Sequence, residues 1–557
     1  MDGHAASLAV AAAVLTVVAL VLGTGIRLYP AFADDEGTYT AQAWAVQAHG
    51  AMAHYTYWYD HPPLGWLQLA GVSWLLGPLL RSGSAVGDAR SVVLLPALAS
   101  AALLYVLARR LCLRRAFAAL AVLLFALSPL AVTSLRQVLL DNLATPWILG
   151  AFVLAASPGR RLWAYAASGA CFAIAVLTKE TSLLLLPGLV LAVRHGVDQR
   201  TRAFCVAAFT TLLALTAAAY PLYAMLKGEL LPGAGHVSLL EAVKFQLYAR
   251  PSTGSALAPG SQSHELVASW LRIDPWLLGL GVLALPAALW IRRLRPVAVS
   301  LLVLIVMGLR PGYLPQPYVI ALLPFCALVV AGTLDTLWDR VQTKPVAWRR
   351  GAAAAAALVA FVAFGRDWWS ADSYAMRTDQ TGPAIAAQRW VERNVDHRAR
   401  VLVDDTFYVD LVDAGFAPRF GAVWFYKLDF TTNLDPSIVR TLPQGWKAFD
   451  YVISTDVIRS ALAQSPSRLV EVRRALRNST PVKTFGTGAG RVEIRRITGV
   501  GTGSGLLPPA PPASSTSPSW NVAPEALLPP APKPARPAHR ARHPRAARHH
   551  RRHRRAR

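Results

Sequence analysis

Three carboxylates, Asp34, Asp35 and Glu36, come directly after an apolar run over residues 8–28. Charges at a membrane exit are costly beside lipid and persist where they are used. Asp35 is placed to act as a general base on an acceptor hydroxyl, with its pKa lifted by partial burial. The three acids are also candidate ligands for a divalent cation. The competing reading is structural, with Asp34 or Asp35 capping a helix that begins at Gly37. The loop continues through the aromatic residues 55–59 to His61 and the rigid pair Pro62-Pro63. Those aromatics suit either a sugar face or an interfacial belt.

Further polar patches interrupt the apolar sequence. Arg136 and Asp141 flank three aliphatic residues and either pair structurally or present an anion site and a second acid to one cavity. Lys179-Glu180 joins two apolar runs with almost no loop between them. A cation fixed there suits a phosphate, and its alternative is a snorkelling lysine held by its neighbour. Residues 310–318, RPGYLPQPY, place Tyr313, Gln316 and Tyr318 in a proline-rich turn. That turn either lines a lipid-phosphate or sugar site or simply joins two spans. There is no Walker loop, no zinc-type spacing and no GxSxG element.

The elements that must position these residues are membrane helices. Of 557 residues, 54% are hydrophobic and only 16% charged, which excludes a single soluble core. The predicted architecture is a polytopic α-helical membrane protein with about 11 transmembrane helices, a small extracytoplasmic α/β domain and a disordered basic tail. The expected spans are residues 8–28, 91–108, 116–133, 139–156, 162–178, 181–193, 203–225, 275–291, 296–309, 317–337 and 351–365. The first is read as an anchor and not a cleaved signal. The run over residues 64–80 is a twelfth candidate, and charge decides its place. If it lies along the outer interface, arginine clusters at 109–115, 160–161, 194–202, 292–295 and 340–350 all face the cytoplasm, as the positive-inside rule requires. The acidic loop, residues 134–142, Lys179-Glu180, residues 227–272 and residues 310–318 then converge on the outer face.

These boundaries divide the chain into residues 1–365, with a first external loop over 29–90, then 366–498 and 499–557. In the middle part, residues 383–394 read as a helix and residues 400–405, 451–455 and 482–485 as buried strands. The four cysteines lie in or beside apolar runs, so no disulfide framework is expected. The tail carries ten arginines and one lysine against Glu525, a large share of the net charge of +25. It suits adhesion to anionic envelope polymer or membrane lipids, or is a dispensable solvated segment. No nucleic-acid partner is expected.

Asp-Glu after the first span, then HPPLGWL, then R-x(4)-D, then LTKE resembles the GT-C-type glycosyltransferases. The likeness is to the group of protein O-mannosyltransferases and lipid A aminoarabinose transferases, over about residues 8–337. It implies inverting transfer of a sugar from a polyprenyl-phosphate donor to a hydroxyl of a protein, lipid or glycan acceptor, with mannose as the suggested sugar. By position, Asp35 matches the catalytic aspartate, with Asp34 its alternative. Glu36 matches its neighbour, Asp141 the second-loop acid, and Arg136 and Lys179 the donor phosphate site. His61, Tyr313 and Tyr318 are substrate-cavity candidates. The one cofactor candidate is a divalent metal ion on Asp34, Asp35 and Glu36. The high Ala and Arg content points to a bacterial plasma membrane, with the N-terminus cytoplasmic. A transporter or lipid flippase is the alternative.

Overall fold

The computed structural model describes residues 2–50, 59, 61–80, 83–233, 238–343, 365–418, 420–429, 442–464 and 467–498. The aromatic run up to Trp58, most of the expected span 351–365 and the basic tail lie outside the described residues. The helical body runs α1 (Asp2–Gly23), α2 (Asp34–His49), α3 (Leu64–Leu80), α4 (Ala85–Arg110), α5 (Arg115–Ala126), α6 (Pro129–Ser134), α7 (Leu140–Ala155) and α8 (Leu162–Thr178). It continues with α9 (Leu186–Gly196), α10 (Arg202–Ala217), α11 (Ala219–Leu226), α12 (Leu239–Lys244), α13 (Gln262–Ile273), α14 (Pro275–Trp290), α15 (Arg295–Leu309) and α16 (Tyr318–Thr343). Among the described residues, four helices are long and apolar enough to cross a membrane, or five if the bent pair α13–α14 counts as one span. Five further apolar helices are shorter. The chain is an integral multi-pass membrane protein.

Several expected spans are broken, for local reasons. Residues 116–133 divide at Ser128-Pro129, where the proline starts α6 and the serine hydroxyl bonds Asp274. The run at 181–193 starts as a 3-10 turn, Glu180–Leu185, before α9. Residues 64–80 form a helix as expected. Trp66 and Leu69 are buried, while Leu67, Trp74 and Leu75 form an exposed apolar face suited to lipid.

One end of the bundle is tied together by its arginines. Arg114 and Arg293 clasp the buried Asp335 of α16 at 2.9 and 2.7 Å. Arg160 pairs with Asp198, and Arg110 donates to the Val153 carbonyl. Lys179, Asp141 and Arg90 lie at the opposite ends of α8, α7 and α4.

After a helix over residues 365–377 (α17), the chain forms a small α/β unit. It holds α18 (Gly382–Asn394), α19 (Asp405–Asp413) and a five-stranded sheet. The strands are β1 (Val401–Val403), β2 (Ala422–Trp424), β3 (Tyr451–Ser454), β4 (Ser479–Phe485) and β5 (Val492–Ile497), in the order β2-β1-β3-β5-β4. β1 is parallel to β2 and β3, while β5 is antiparallel to β3 and β4. The helix at 383–394 and the strands at 401 and 451 fall where the sequence placed them. The strand over 482–485 is not buried: β4 is the sheet edge, with one neighbour and mostly exposed residues.

The unit is docked on α2 by close backbone approach. A Cβ on Gly37 would lie 2.3 Å from the Asp405 carbonyl carbon, so α2 and α19 touch only because that residue is glycine.

Candidate active site

The acids at positions 34–36 occupy the first turn of α2, where the helix dipole favours negative charge. They point in different directions. Glu36 is fully buried and forms a bidentate pair with the fully buried Arg90, Nε to Oε1 at 2.7 Å and Nη2 to Oε2 at 2.6 Å. It also accepts the Ala33 and Val138 backbone N–H groups at 3.0 and 2.9 Å. Arg90 in turn donates to the carbonyls of Pro30 and Ala31. Glu36 therefore fastens the first loop to α4 and to the segment before α7. Asp35 is exposed, and with Asp34 it lines a cavity of about 470 Å³.

Polar patches that the sequence separates meet in this cavity. Lys179 is buried in the break between α8 and the 3-10 turn, and its Nζ lies 3.2 Å from His61 Nε2. The other imidazole nitrogen, Nδ1, lies 3.0 Å from Glu180 Oε2. With ammonium on one side and carboxylate on the other, the imidazole proton is assigned to Nδ1, and Nε2 accepts from the lysine. A neutral imidazole thus aims a fixed ammonium at the cavity.

The opposite wall comes from two loops strapped together. Thr253 N–H donates to the Gly312 carbonyl at 3.0 Å, Gly312 N–H to the Gly254 carbonyl at 3.1 Å, and Leu314 N–H to Thr253 Oγ1 at 2.9 Å. Gly312 has φ of +146°, which favours glycine in RPGYLPQPY. The strapping stacks the Arg250 guanidinium on the Tyr313 ring, 3.6 Å from its centroid. Arg250 and Arg310 both line the cavity, and among the described residues neither is paired with a carboxylate. An adjoining hollow of about 340 Å³ shares His61, Arg250 and Tyr313 with it.

The remaining wall belongs to the α/β unit, through Trp424, Tyr426 and Lys427. Trp424 ends β2 and Tyr426 and Lys427 come just after it, Asp404 and Asp405 follow β1, and Thr455 follows β3. The carboxyl ends of parallel strands are where open α/β sheets place ligands. Here that edge faces α2: Thr38 and Tyr426 both donate to Asp405 Oδ2, the latter at 3.0 Å.

Residues 60–223 match the family model for dolichyl-phosphate-mannose-protein mannosyltransferase. The fold is similar to that of ArnT from Cupriavidus metallidurans in the apo state, with a TM-score of 0.51 at 15% identity over 87% of this chain and 97% of that one. The same protein bound to undecaprenyl phosphate gives 0.51 at 14% identity, over 89% and 98%. The archaeal oligosaccharyltransferase AglB from Archaeoglobus fulgidus, in complex with an inhibitory peptide and a dolichol-phosphate, gives 0.50 at 11% identity, over 86% and 74%. No curated protein matches the chain. The chain shares the fold of these membrane proteins, and its family match lies in the helical body.

Within this fold the expected site residues separate. Asp34, Asp35, His61, Lys179 and Tyr313 share the cavity. Glu36 does not, because Arg90 and two backbone amides occupy its oxygens. Arg136 is also elsewhere: fully buried, it donates to the carbonyls of Val21, Thr24 and Ala375, clamping the end of α1 to α17. Asp141 is buried in the first turn of α7 and acts on Lys179, Glu180 and His61 through charge, without lining the cavity. Tyr318 is buried and donates to the Leu304 carbonyl at 2.8 Å.

With Glu36 engaged, the proposed divalent set does not fit. Among the described residues no group of three or more His, Cys, Asp or Glu side chains is arranged to hold a metal ion. The sequence reading did not single out Arg250, Tyr426 or Lys427 of the cavity lining, nor Asp405 beside it, and held Arg310 only as part of the turn over residues 310–318. For the two arginines a signal existed. Both are isolated cations on the face that the positive-inside rule leaves poor in cations, so their presence there calls for a use.

Proposed function

We propose that this enzyme transfers a sugar, mannose by resemblance, from a polyprenyl phosphate to a hydroxyl acceptor at the outer face of a bacterial plasma membrane, with inversion. Asp35 removes the acceptor proton as the hydroxyl oxygen attacks the anomeric carbon. The bond from that carbon to the phosphate oxygen breaks, and the lipid phosphate leaves with the electron pair. Lys179, Arg250 and Arg310 hold the phosphate and stabilise the charge that develops on it. Lys179 owes its direction to His61 and Glu180. Arg136 and Glu36 serve as fasteners, and Asp141 tunes the field at Lys179.

One observation carries this reading: the exposed Asp35 and the cations Lys179, Arg250 and Arg310 line a single cavity. Asp35 is favoured over Asp34 as base because burial and the nearby charges of Asp405, Asp35 and Asp404 raise the Asp34 carboxyl well above its ordinary value. A carboxyl that keeps its proton is a poor base. The arginines gathered at the far end of the bundle favour a cytoplasmic N-terminus, with residues 366–498 outside and the basic tail beyond them.

The test is transfer from labelled polyprenyl-phosphate mannose to a cell-envelope extract by purified protein, wild type beside Asp35→Asn. Label should reach a protein, lipid or glycan fraction with wild type only. Undiminished transfer by the folded Asp35→Asn enzyme would remove Asp35 from the chemistry, and failure with mannose but success with another lipid-phosphate sugar would change the donor alone.

A further inference from the structure

We propose that Asp405 of the α/β unit and Asp34 of α2 share one proton, which makes Asp405 a positioning residue for the catalytic carboxylate Asp35. The inference rests on the reading of Asp35 as the base. Asp34 and Thr38 are one turn apart on α2, and Gly37 between them lies against the Asp405 backbone. Thr38 donates to Asp405 Oδ2, which fixes that oxygen, and Tyr426 donates to the same atom. The two oxygens left over tell the rest. Asp34 Oδ1 and Asp405 Oδ1 are both buried and have no hydrogen-bond partner among the described residues. Each orphaned carboxylate oxygen is costly, the Asp405 charge acts directly on Asp34, and a single proton held between the two satisfies both.

The surrounding charge supports the same arrangement. From the α/β unit the pair faces Asp404 and Lys427, and from α2 it faces Asp35. Across the cavity stand His61, Lys179, Glu180, Arg250 and Arg310. Asp404 is engaged by Thr406 and Thr455, so it cannot supply the proton's second acceptor. Burial raises both Asp34 and Asp405 above the usual carboxylate range, against the Thr38 hydrogen bond at Asp405. Like charges forced together keep one proton between them.

The consequence for the reaction is a division of labour between neighbouring acids. Asp34 is kept neutral by the α/β unit, and Asp35 stays beside it as the acceptor of the substrate's proton. When the shared proton is lost at alkaline pH, two buried carboxylates repel and the unit is driven off α2. The chemistry then loses the geometry of the first helical turn.

Infrared titration of the full chain in lipid nanodiscs tests this without needing a substrate. The spectra of Asp34→Asn, Asp405→Asn and the double variant isolate the carbonyl band of each protonated carboxyl. In each single variant the surviving carboxyl should lose its band at a pH lower by about one unit or more than in wild type, because its charged neighbour is gone. The alkaline limb of kcat/KM should move upward in Asp405→Asn, a change that a merely structural contact would not produce. Unchanged band midpoints in both single variants, or an alkaline limb identical to wild type, would overturn the shared proton. A wild type inactive with every lipid-phosphate sugar would sink the transferase assignment of Asp35 and leave the infrared result standing.

Discussion

Glu36→Gln separates a chemical acid from a structural one. Glu36 accepts four hydrogen bonds, at 2.6, 2.7, 2.9 and 3.0 Å, from a buried arginine and two backbone amides. A glutamine has the same shape but presents one acceptor oxygen and one amide group. Whichever way it turns, some of the four donors then face another N–H, and Arg90 becomes a buried cation without its counter-charge. Removing one partner of a buried pair costs about 3–5 kcal/mol. That is a large part of the roughly 5–15 kcal/mol that holds a typical domain folded. The thermal midpoint of purified Glu36→Gln in detergent, followed by tryptophan fluorescence, should therefore fall well below that of wild type, and Arg90→Gln should fall comparably. Glu36→Gln/Arg90→Gln should lose less than the sum of the two, because the neutral pair no longer strands a charge. A Glu36→Gln enzyme that melts with wild type yet transfers no sugar would refute this reasoning and restore Glu36 to the chemistry.

Gly37→Ala sets a methyl 2.3 Å from the Asp405 carbonyl carbon, so reaching 3.4 Å parts α2 from α19 by 3.4 − 2.3 = 1.1 Å. A shift of this size costs on the order of 100-fold in turnover, and a wild-type rate would show that the docking does not govern the site. Arg250→Gln removes a cation that has no carboxylate partner among the described residues, and with it the stack on Tyr313; the KM for the lipid donor should rise about tenfold or more, from the roughly 1.5–3 kcal/mol of a charged hydrogen bond. An unchanged donor KM would take Arg250 out of the phosphate site. Asp410, which accepts the Ala85 N–H at 2.8 Å, is pushed up to about 8 chiefly by burial. The folded protein holds that proton more tightly than an unfolded chain, so the stabilisation is present below about pH 4 and fades as pH rises to about 8. Asp410→Asn keeps the acceptor, and its thermal midpoint should exceed wild type at about pH 8 but not at about pH 4; equal midpoints at both would contradict the assignment.

The sequence brought out cavity-lining residues wherever neighbours in the chain are neighbours in space. Asp34-Asp35, His61 before its prolines, Lys179-Glu180 and the turn around Tyr313 are short motifs at helix ends, and helix ends of a bundle meet at its faces. It misled where a partner comes from far away. Glu36 looked like a site acid because nothing near it hints at Arg90, 54 residues on. Arg136 looked like a phosphate ligand because its acceptors are carbonyls, which any residue supplies. The short strands β2 and β5 went unread for a similar reason, since their three and six residues are defined by their neighbours more than by their own pattern. Asp405 falls at the end of the run over residues 400–405 read as a strand, and its place beside Asp34 depends on how the α/β unit docks.

That docking bears on how such an enzyme can diversify or be engineered. The segment from Trp424 to Lys427 reaches the chamber from a water-soluble fold, while the lysine and arginines opposite come from loops between lipid-embedded helices. Grafting the soluble unit of one relative onto the helices of another would cut the chamber through its middle, and the seam would run between Gly37 and Asp405. Substitutions confined to residues 424–427 are a gentler route, since they reshape one wall while the helices that frame the rest of the cavity remain as they are.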